Sequence, residues 1–157
     1  MADPRHSSEQ PTQARVALVL FQVADYRVAL EARHVLSMTD HPNAPRTAAA
    51  QALLYEAPLC ETSPPPPTSW LTLRDAQGQW QLGVNGEITL QQLPAASLYP
   101  LPALLAARRF SPALCGFAFD RSQSQLQFQL QSQQQSQLQF QQQLVLLLDA
   151  RKLAPIC

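Results

Sequence analysis

The stretch that decides the fold is RVALVLFQVADYRVAL, residues 15–30. Its opening part, Arg15 to Val23, is an apolar run rich in β-branched side chains, and a run of this length predicts a buried strand. Ala24-Asp25 is suited to a turn, and Tyr26 to Leu30 then predicts the returning strand of a hairpin. We therefore expect a β-hairpin at the start of a strand-rich domain.

Further strands and turns follow this hairpin. Glu31 to Val35 predicts a single helical turn. Trp70 to Arg74 alternates apolar and polar residues, which is typical of a half-buried strand. Residues 76–78 supply a turn, and Trp80 to Val84 predicts the strand that returns from it. The chain thus contains a second hairpin.

Two segments leave alternatives open. Asn85-Gly86 is a tight hairpin signal; the alternative is that the strand continues through it to Leu90, with Gly86 marking a bulge or a close approach of another backbone. The alanines of Ala48 to Tyr55 favour a helix, whereas Leu53 to Cys60 can form a strand.

The segment Ser63 to Thr68 contains four consecutive prolines. Proline has no backbone N–H to donate, so the run favours a polyproline II conformation. We expect it to bridge the two halves of the domain. The alternative is that it is a ligand for an aromatic-lined groove of another protein.

The last third of the chain predicts mixed local structure around one buried strand. Leu93 to Pro102 has three prolines and no clear period, so we expect a loop. Ala103 to Arg109 is a short helix candidate. Leu144 to Leu148 predicts a buried strand, and Ala150 to Leu153 a closing turn or helix. Asp149 is placed to cap that turn.

A glutamine-rich segment, Ser122 to Gln143, has Gln at 13 of its 22 positions. Its Leu and Phe residues alternate with Gln, as in a half-buried strand, and the segment is nearly a palindrome about Gln134. An antiparallel hairpin would place the mirrored residues opposite each other, so we predict a long β-hairpin arm. The alternative is a mobile tip with both strands frayed.

Composition limits the class of protein. A chain of 157 residues suits one domain, which we place at residues 15–157 after a polar, disordered tail at 1–14. With 11 basic and 11 acidic residues the net charge is zero, which gives no field to attract nucleic acid. The longest apolar runs, 16–21 and 144–148, are far short of the ~20 residues of a membrane helix, so we expect no membrane insertion.

Catalytic groups do not cluster in the sequence. The histidines and cysteines are scattered at His6, His34, His41, Cys60, Cys115 and Cys157. No two cysteines have metal-ligand or redox spacing, which fits a reducing cytosol, and Cys60 and Cys115 lie in apolar segments, where we expect buried, inert thiols. With four glycines, the chain has no Gly-rich phosphate loop. We expect no enzyme activity, no cofactor and no metal.

The order of these signals resembles the CheW-like coupling domains of bacterial chemotaxis. An apolar strand, a turn, Tyr-x-hydrophobic-x-hydrophobic and a helical turn with Val make the family's opening, and further pieces follow in order. The matching segments are Leu20 to Leu30 with Val35, Pro42 to Pro45, Leu82 to Ile88, Leu98 to Pro102, Phe110 to Gly116, and Leu146 to Asp149 with Leu153.

The resemblance implies a mainly β fold, in which two small SH3-like five-stranded barrels pack pseudo-symmetrically, with short helices. It implies that Tyr26, Val28, Leu30 and Val84 are buried. It also implies a non-enzymatic cytoplasmic adaptor that binds the regulatory domain of a CheA-type histidine kinase, with chemoreceptors as further partners.

The sequence departs from the family in two places. The segment Leu53 to Glu61 lacks the Arg-Gly pair that the family uses for receptor contact. The glutamine-rich segment stands where the family has a short turn. We therefore expect a diverged member of a specialised chemosensory or surface-motility pathway. The alternative is a self-associating structural protein driven by the glutamine-rich hairpin, with the coupling role lost.

Candidate partner contacts come from three regions. The first is the segment that lacks Arg-Gly, and the second is the motif Leu82 to Ile88. The third is the pair of adjacent arginines, the densest positive spot of the chain, for which a solvated pair is the ordinary interpretation. The candidates are Tyr55, Glu56, Asn85, Glu87, Arg108 and Arg109.

Overall fold

The computed structural model of the chain describes residues 13–54, 64–109, 111–120 and 144–155. The predictions made for the N-terminal tail, for Tyr55 and Glu56, for Cys60 and for the glutamine-rich hairpin lie outside these residues.

Strands dominate the described residues. They are β1 (Arg15–Val23), β2 (Tyr26–Glu31), β3 (Ser37–Thr39), β4 (Thr47–Ala49), β5 (Ser69–Asp75), β6 (Gly78–Pro94), β7 (Leu98–Pro100), β8 (Leu114–Phe119) and β9 (Leu144–Leu148). Two short helices, α1 (Ala50–Leu54) and α2 (Ala103–Arg108), and 3₁₀ turns at Ala32–His34, Ala95–Ser97 and Ala150–Lys152 complete the elements.

The strands form one continuous hydrogen-bonded path in the order β3-β5-β6-β1-β2-β9-β8-β7, with β4 pairing β6. The predicted opening hairpin is confirmed, since β1 and β2 pair antiparallel up to Val23 opposite Tyr26. The last strand, β9, then pairs parallel with β2. The two ends of the domain therefore meet at the opening hairpin.

Strand β1 is apolar from Val16 to Phe21 because both faces of its middle part are buried. Val19 and Phe21 belong to the larger core, which also takes in β5 and the first part of β6. Leu18 and Leu20 point the other way, into a smaller core with residues of β8 and β9. A strand buried on both faces has no position for polar alternation.

Strand β6 continues through Asn85-Gly86, so the second of the two sequence alternatives is correct. Its first part pairs with β5 and its last part with β1. Between them the register shifts: Leu20 lies opposite Thr89 and Gln22 opposite Asn85, so residues 86–88 face Phe21 alone. Gly86 has a φ of 77° in this bulge, a conformation that glycine adopts without strain.

Three expectations are corrected. Tyr26 is 43% exposed because it lies directly after the turn of the opening hairpin. Val28, Leu30 and Val84 are buried as predicted. The expected loop Leu93–Pro102 contains the end of β6, a 3₁₀ turn and β7.

Cys115 is exposed, against the expected burial. The register of β8 and β9 shifts between Leu114 and Gly116, which makes Cys115 the extra residue of a bulge and turns it outward. Within the ambiguous segment that begins at Ala48, residues 48–54 form the end of β4 and then α1.

The buried side chain of Gln81, on β6, fastens the segment between β3 and β4 to the second hairpin. Its Oε1 accepts from the backbone N–H groups of Asn43 (2.7 Å) and Ala44 (3.0 Å). Its Nε2 donates to the hydroxyls of Thr39 (3.1 Å) and Thr72 (3.3 Å). Every hydrogen-bonding group of a side chain with no exposed surface therefore has a partner.

Arg46 fixes the same segment at its other end. Its guanidinium donates to both carboxylate oxygens of Asp75, one of them at 2.9 Å. This pairing, together with the backbone N–H of Gln77, holds the pKa of Asp75 below its ordinary value. The segment between β3 and β4, which contains Pro42 and Pro45, is thus held to the second hairpin by polar contacts at both of its ends.

We predict that Gln81→Met lowers the free energy of unfolding by about 2 to 3 kcal/mol, because two backbone donors and two hydroxyls lose their partner inside the fold. Gln79→Met, at an exposed position two residues earlier on the same strand, should change it by less than about 0.5 kcal/mol. Urea unfolding of both variants measures the difference. Equal midpoints would show that the Gln81 amide does not hold this segment.

Candidate functional site: two surface clefts

The described candidate residues lie in two separate regions. Asn85 and Glu87 sit at the β6 bulge, where the strand passes from β5 to β1. Arg108 ends α2 and Arg109 follows it. Asn85 lines one cleft, Glu87 lines a shallow depression near it, and the two arginines line a second cleft, so the structure does not combine the four residues into one site.

The first cleft, here the bulge cleft, has a volume of about 370 Å³. It lies between the β1–β2 turn, the start of α1, the prolines and β6. Its lining is Gln22, Val23, Ala24, Asp25, Ala49, Ala50, Gln51, Ala52, Pro64, Pro65, Gly83, Val84, Asn85 and Gly86.

The proline run forms one wall of the bulge cleft. Asn85 Nδ2 donates to the carbonyl of Pro65 at 3.3 Å, which ties the wall to β6. A Cβ at position 83 would lie 2.5 Å from Cγ of Pro67 and 2.9 Å from Cζ3 of Trp70, so Gly83 is what lets the prolines approach the strand. The expected bridge is therefore packed against the sheet at Pro67.

Glu87 faces away from this wall, along β1. It is exposed and lines a shallow depression of about 270 Å³ with Leu20, Phe21, Gln22, Arg27 and Thr89. Arg27 Nη1 donates to Asp120 Oδ2 at 3.0 Å, and Gln91 Nε2 donates to Asp120 Oδ1 at 3.0 Å. Asp120 is 2% exposed, so its pairing is structural, whereas the Glu87 carboxylate is open to a partner.

The second cleft, here the arginine groove, has a volume of about 400 Å³ and a nearly continuous apolar floor. Strands β8 and β9 supply the floor, and α2 forms one side together with Leu101 ahead of it and Arg109 after it. Its lining is Leu101, Leu105, Arg108, Arg109, Leu114, Phe117, Leu144 and Leu146. Leu105 is 54% exposed although it faces this apolar surface.

Arg109 is held at the rim of the arginine groove. Its Nη1 donates to the carbonyl of Leu114 at 3.2 Å, which fixes the guanidinium beside the floor. Arg108 is exposed at the same rim. The groove therefore combines an apolar floor with two positive charges at one end.

Sequence reasoning found the two arginines but missed the apolar residues below them. Phe117 and Phe119 lie on β8, and Tyr99 of β7 stacks on Phe117 with ring centroids 5.4 Å apart. The alternation of Phe117 and Phe119 with small residues was the available signal. This signal was not used because a loop was expected at Leu93–Pro102, and β7 was therefore not predicted as a strand beside β8.

Cys115 is the exposed thiol of the described residues, and its environment does not activate it. Although the residue is exposed, its Sγ is partly buried. This partial burial, and to a smaller extent the nearby charge of Asp149, raises the pKa of Cys115 above its ordinary value. Its Sγ donates to the carbonyl of Leu147 at 3.4 Å. A raised pKa lowers the thiolate fraction, which is the nucleophilic form.

Within residues 13–54, 64–109, 111–120 and 144–155, no group of three His, Cys, Asp or Glu side chains is arranged to hold a metal ion. In the same part of the chain, none of the helices has the length and apolar character needed to cross a membrane.

Comparison with known proteins supports the fold. No family model matches the sequence, and no curated protein matches it significantly. Among solved structures, the chain is similar to the scaffolding protein TtCheW from Thermoanaerobacter tengcongensis, with a TM-score of 0.56 and 8% sequence identity. The match covers 91% of this chain and 100% of that one.

The chain therefore has a CheW-like fold, mainly β, with two SH3-like barrels and short helices. The fold class expected from the order of motifs is confirmed. The two folds are similar although only 8% of the aligned residues are identical.

We predict that Cys115 alkylates slowly at neutral pH. In a variant with Cys60→Ser and Cys157→Ser, the midpoint of the pH–rate profile with iodoacetamide should lie above that of the same variant unfolded in urea. Asp149→Asn should lower the folded midpoint only partly, since the charge of Asp149 is a smaller cause than burial. A folded midpoint at or below the unfolded one would contradict this account.

Proposed function

We propose that this protein is a non-enzymatic adaptor in bacterial chemosensory signalling that binds the regulatory domain of a CheA-type histidine kinase in the cytoplasm. The observation that carries the proposal is the structural match to a scaffolding protein over nearly the whole of both chains. Chemoreceptors are the second class of partner. The protein would act by holding these partners together, without a reaction of its own.

The surface supports binding by more than one face. We propose that Asn85 and Glu87 contact one partner at the β6 bulge, together with Tyr55 and Glu56, and that Arg108 and Arg109 contact another. An adaptor has to hold two proteins at once, and two clefts on different elements provide for that. Charged residues at the rim of such surfaces set the partner and the rate of association.

The proposal predicts direct binding of the purified protein to the regulatory domain of the CheA-type kinase from the same cell, measured by calorimetry. Glu87→Lys should weaken it by about fivefold or more if Glu87 is a contact, since a contact residue that matters contributes more than ~1 kcal/mol. Gln79→Lys places a lysine at an exposed position on the same strand, away from both clefts, and should leave binding unchanged.

The kinase domain alone decides the main point. If it does not bind wild-type protein that is folded by circular dichroism, kinase coupling is excluded and only the fold remains. If it binds and Glu87→Lys has no effect, the kinase contact lies away from the bulge.

Self-association through the glutamine-rich segment is a second candidate function. Its support is compositional: 13 of 22 residues in 122–143 are Gln, alternating with Leu and Phe, and amide ladders favour cross-β association. The zero net charge also gives little repulsion between copies.

A shortened variant tests this second candidate. Phe119 and Leu144 are paired neighbours on β8 and β9, so Asn-Gly in place of 122–143 leaves a four-residue hairpin loop that keeps Asp120. If wild type forms concentration-dependent assemblies by light scattering and the shortened variant is monomeric, the segment drives assembly. Identical behaviour of the two proteins would rule out self-association as its role.

A further inference from the structure

The second half of β6 has a neighbouring strand on one side only. Its first half pairs with both β5 and β4, whereas residues 89–94 pair with β1 alone. In the part of the chain that the structure describes, no strand pairs with the open side of residues 88–94, here called the β6 edge. The β6 edge is longer than the three-residue strands β3, β4 and β7. A long edge is a template for pairing with another chain.

The pairing with β1 determines which backbone groups of the β6 edge face the open side. The N–H of Ala95 donates to the carbonyl of Ala14 at 2.8 Å, in the same antiparallel register as the rest of the ladder. In such a ladder every second residue bonds to the neighbouring strand, and the residues between them point their N–H and C=O groups away from it. The residues that bond to β1 are therefore 89, 91 and 93. The residues whose backbone groups face the open side are 88, 90 and 92.

The two ends of the β6 edge carry features that limit pairing, but its middle does not. Glu87 precedes the edge, and Pro94, which has no N–H, ends it. The residues between them are uncharged, and Leu90 is 71% exposed, the largest fraction among the exposed large apolar residues that the structure describes. The guanidinium of Arg15 donates to the carbonyl of Gln92 at 3.3 Å, and a carbonyl oxygen has a second lone pair for another donor.

The β6 edge is complementary to a second copy of itself. If two copies run antiparallel about a two-fold axis at Leu90, this residue lies opposite Leu90 of the second copy, and Ile88 lies opposite Gln92 of the second copy. Each outward N–H group then meets an outward carbonyl, and the two exposed leucines cover each other. The same register brings Glu87 of one copy to the end of the pairing where Arg15 of the other copy lies. Opposite charges, not like charges, therefore meet at both ends.

We propose that the β6 edge is a homodimer interface, in which two copies pair their β6 edges antiparallel and form one sheet across a two-fold axis. The inference is independent of the proposed adaptor function, because it concerns a second copy of this chain and uses neither the bulge cleft nor the arginine groove. It also differs from assembly through the glutamine-rich segment, since a two-fold interface closes at a dimer. The shortened variant that lacks 122–143 should therefore remain dimeric.

The first test uses the two-fold axis. Leu90→Lys should raise the dissociation constant of the dimer about tenfold or more, because it sets two like charges opposite each other, and Leu90→Glu should do the same. An equimolar mixture of the two variants should dimerise again, since lysine then meets glutamate. Sedimentation velocity over a concentration series measures each state. Met38→Lys, a matched change at a residue 56% exposed on β3, should leave the wild-type dimer unchanged.

The second test measures the backbone pairing itself. Amide hydrogen exchange of residues 88 and 92, followed by NMR, should be about tenfold or more slower in the wild-type dimer than in Leu90→Lys, because these N–H groups are bonded only across the interface. The amides of 89, 91 and 93 bond to β1 and should be protected equally in both proteins. Leu90 is exposed, so the variant should keep the circular dichroism spectrum of the wild type.

Several results would overturn the proposal. Wild-type protein that is monomeric even at about 1 mM, the weak end of the affinity scale, would leave the edge to a strand of another protein. A dimer that persists in both Leu90 variants, or a mixture of them that stays monomeric, would exclude a two-fold axis at this residue. A dimer in which the amides of 88 and 92 exchange as fast as in Leu90→Lys would show that the copies associate through another surface.

Discussion

The fold depends on β6 remaining one strand across the Asn85-Gly86 bulge. Its first part pairs with β5 and β4, and its last part with β1. A hairpin at Gly86 would have taken the neighbour of β1 away and separated the two halves of the sheet. The positive φ of Gly86, with the side chain of Gln22 close by, lets the strand bend without breaking. The larger core then forms between the two halves.

The same bend sets the geometry of the bulge cleft. Three residues of β6 lie opposite Phe21, so Glu87 stands out of the ladder and is exposed, while Asn85 just before the bulge holds the proline wall. A β-bulge changes the direction in which nearby side chains point. Here β6, the strand that joins the two halves, also carries the candidate contacts Asn85 and Glu87. The segment that joins the two halves is therefore also the one that carries two of the candidate contact residues.

The periodicity of apolar residues was sufficient to predict the long elements. It failed where a local irregularity, such as a bulge or a proline, determines the structure. The opening hairpin, the β5–β6 turn and β9 follow from apolar patterns alone. Strand β7 could not be predicted, because Pro100 lies in it and its pairing with β8 requires the Tyr99 carbonyl to approach Gly116 closely. Cys115 is exposed because of a bulge whose extra residue no pattern identifies. The arginine groove could not be predicted from the sequence either. Its floor lies on β8 and β9 and its rim on α2, and only the order of strands in the sheet brings these elements together.

The β7 end of the sheet limits the ways in which this side of the molecule could bind another chain. Strand β7 is an edge, but it has only three residues and includes Pro100, which cannot donate a ladder hydrogen bond. Short edges with proline resist pairing with another chain. The neighbouring strands β8 and β9 have no free edge. What remains accessible is the apolar surface beside α2 with its two arginines, and a surface of that kind discriminates between partners by shape and charge, not by backbone pairing.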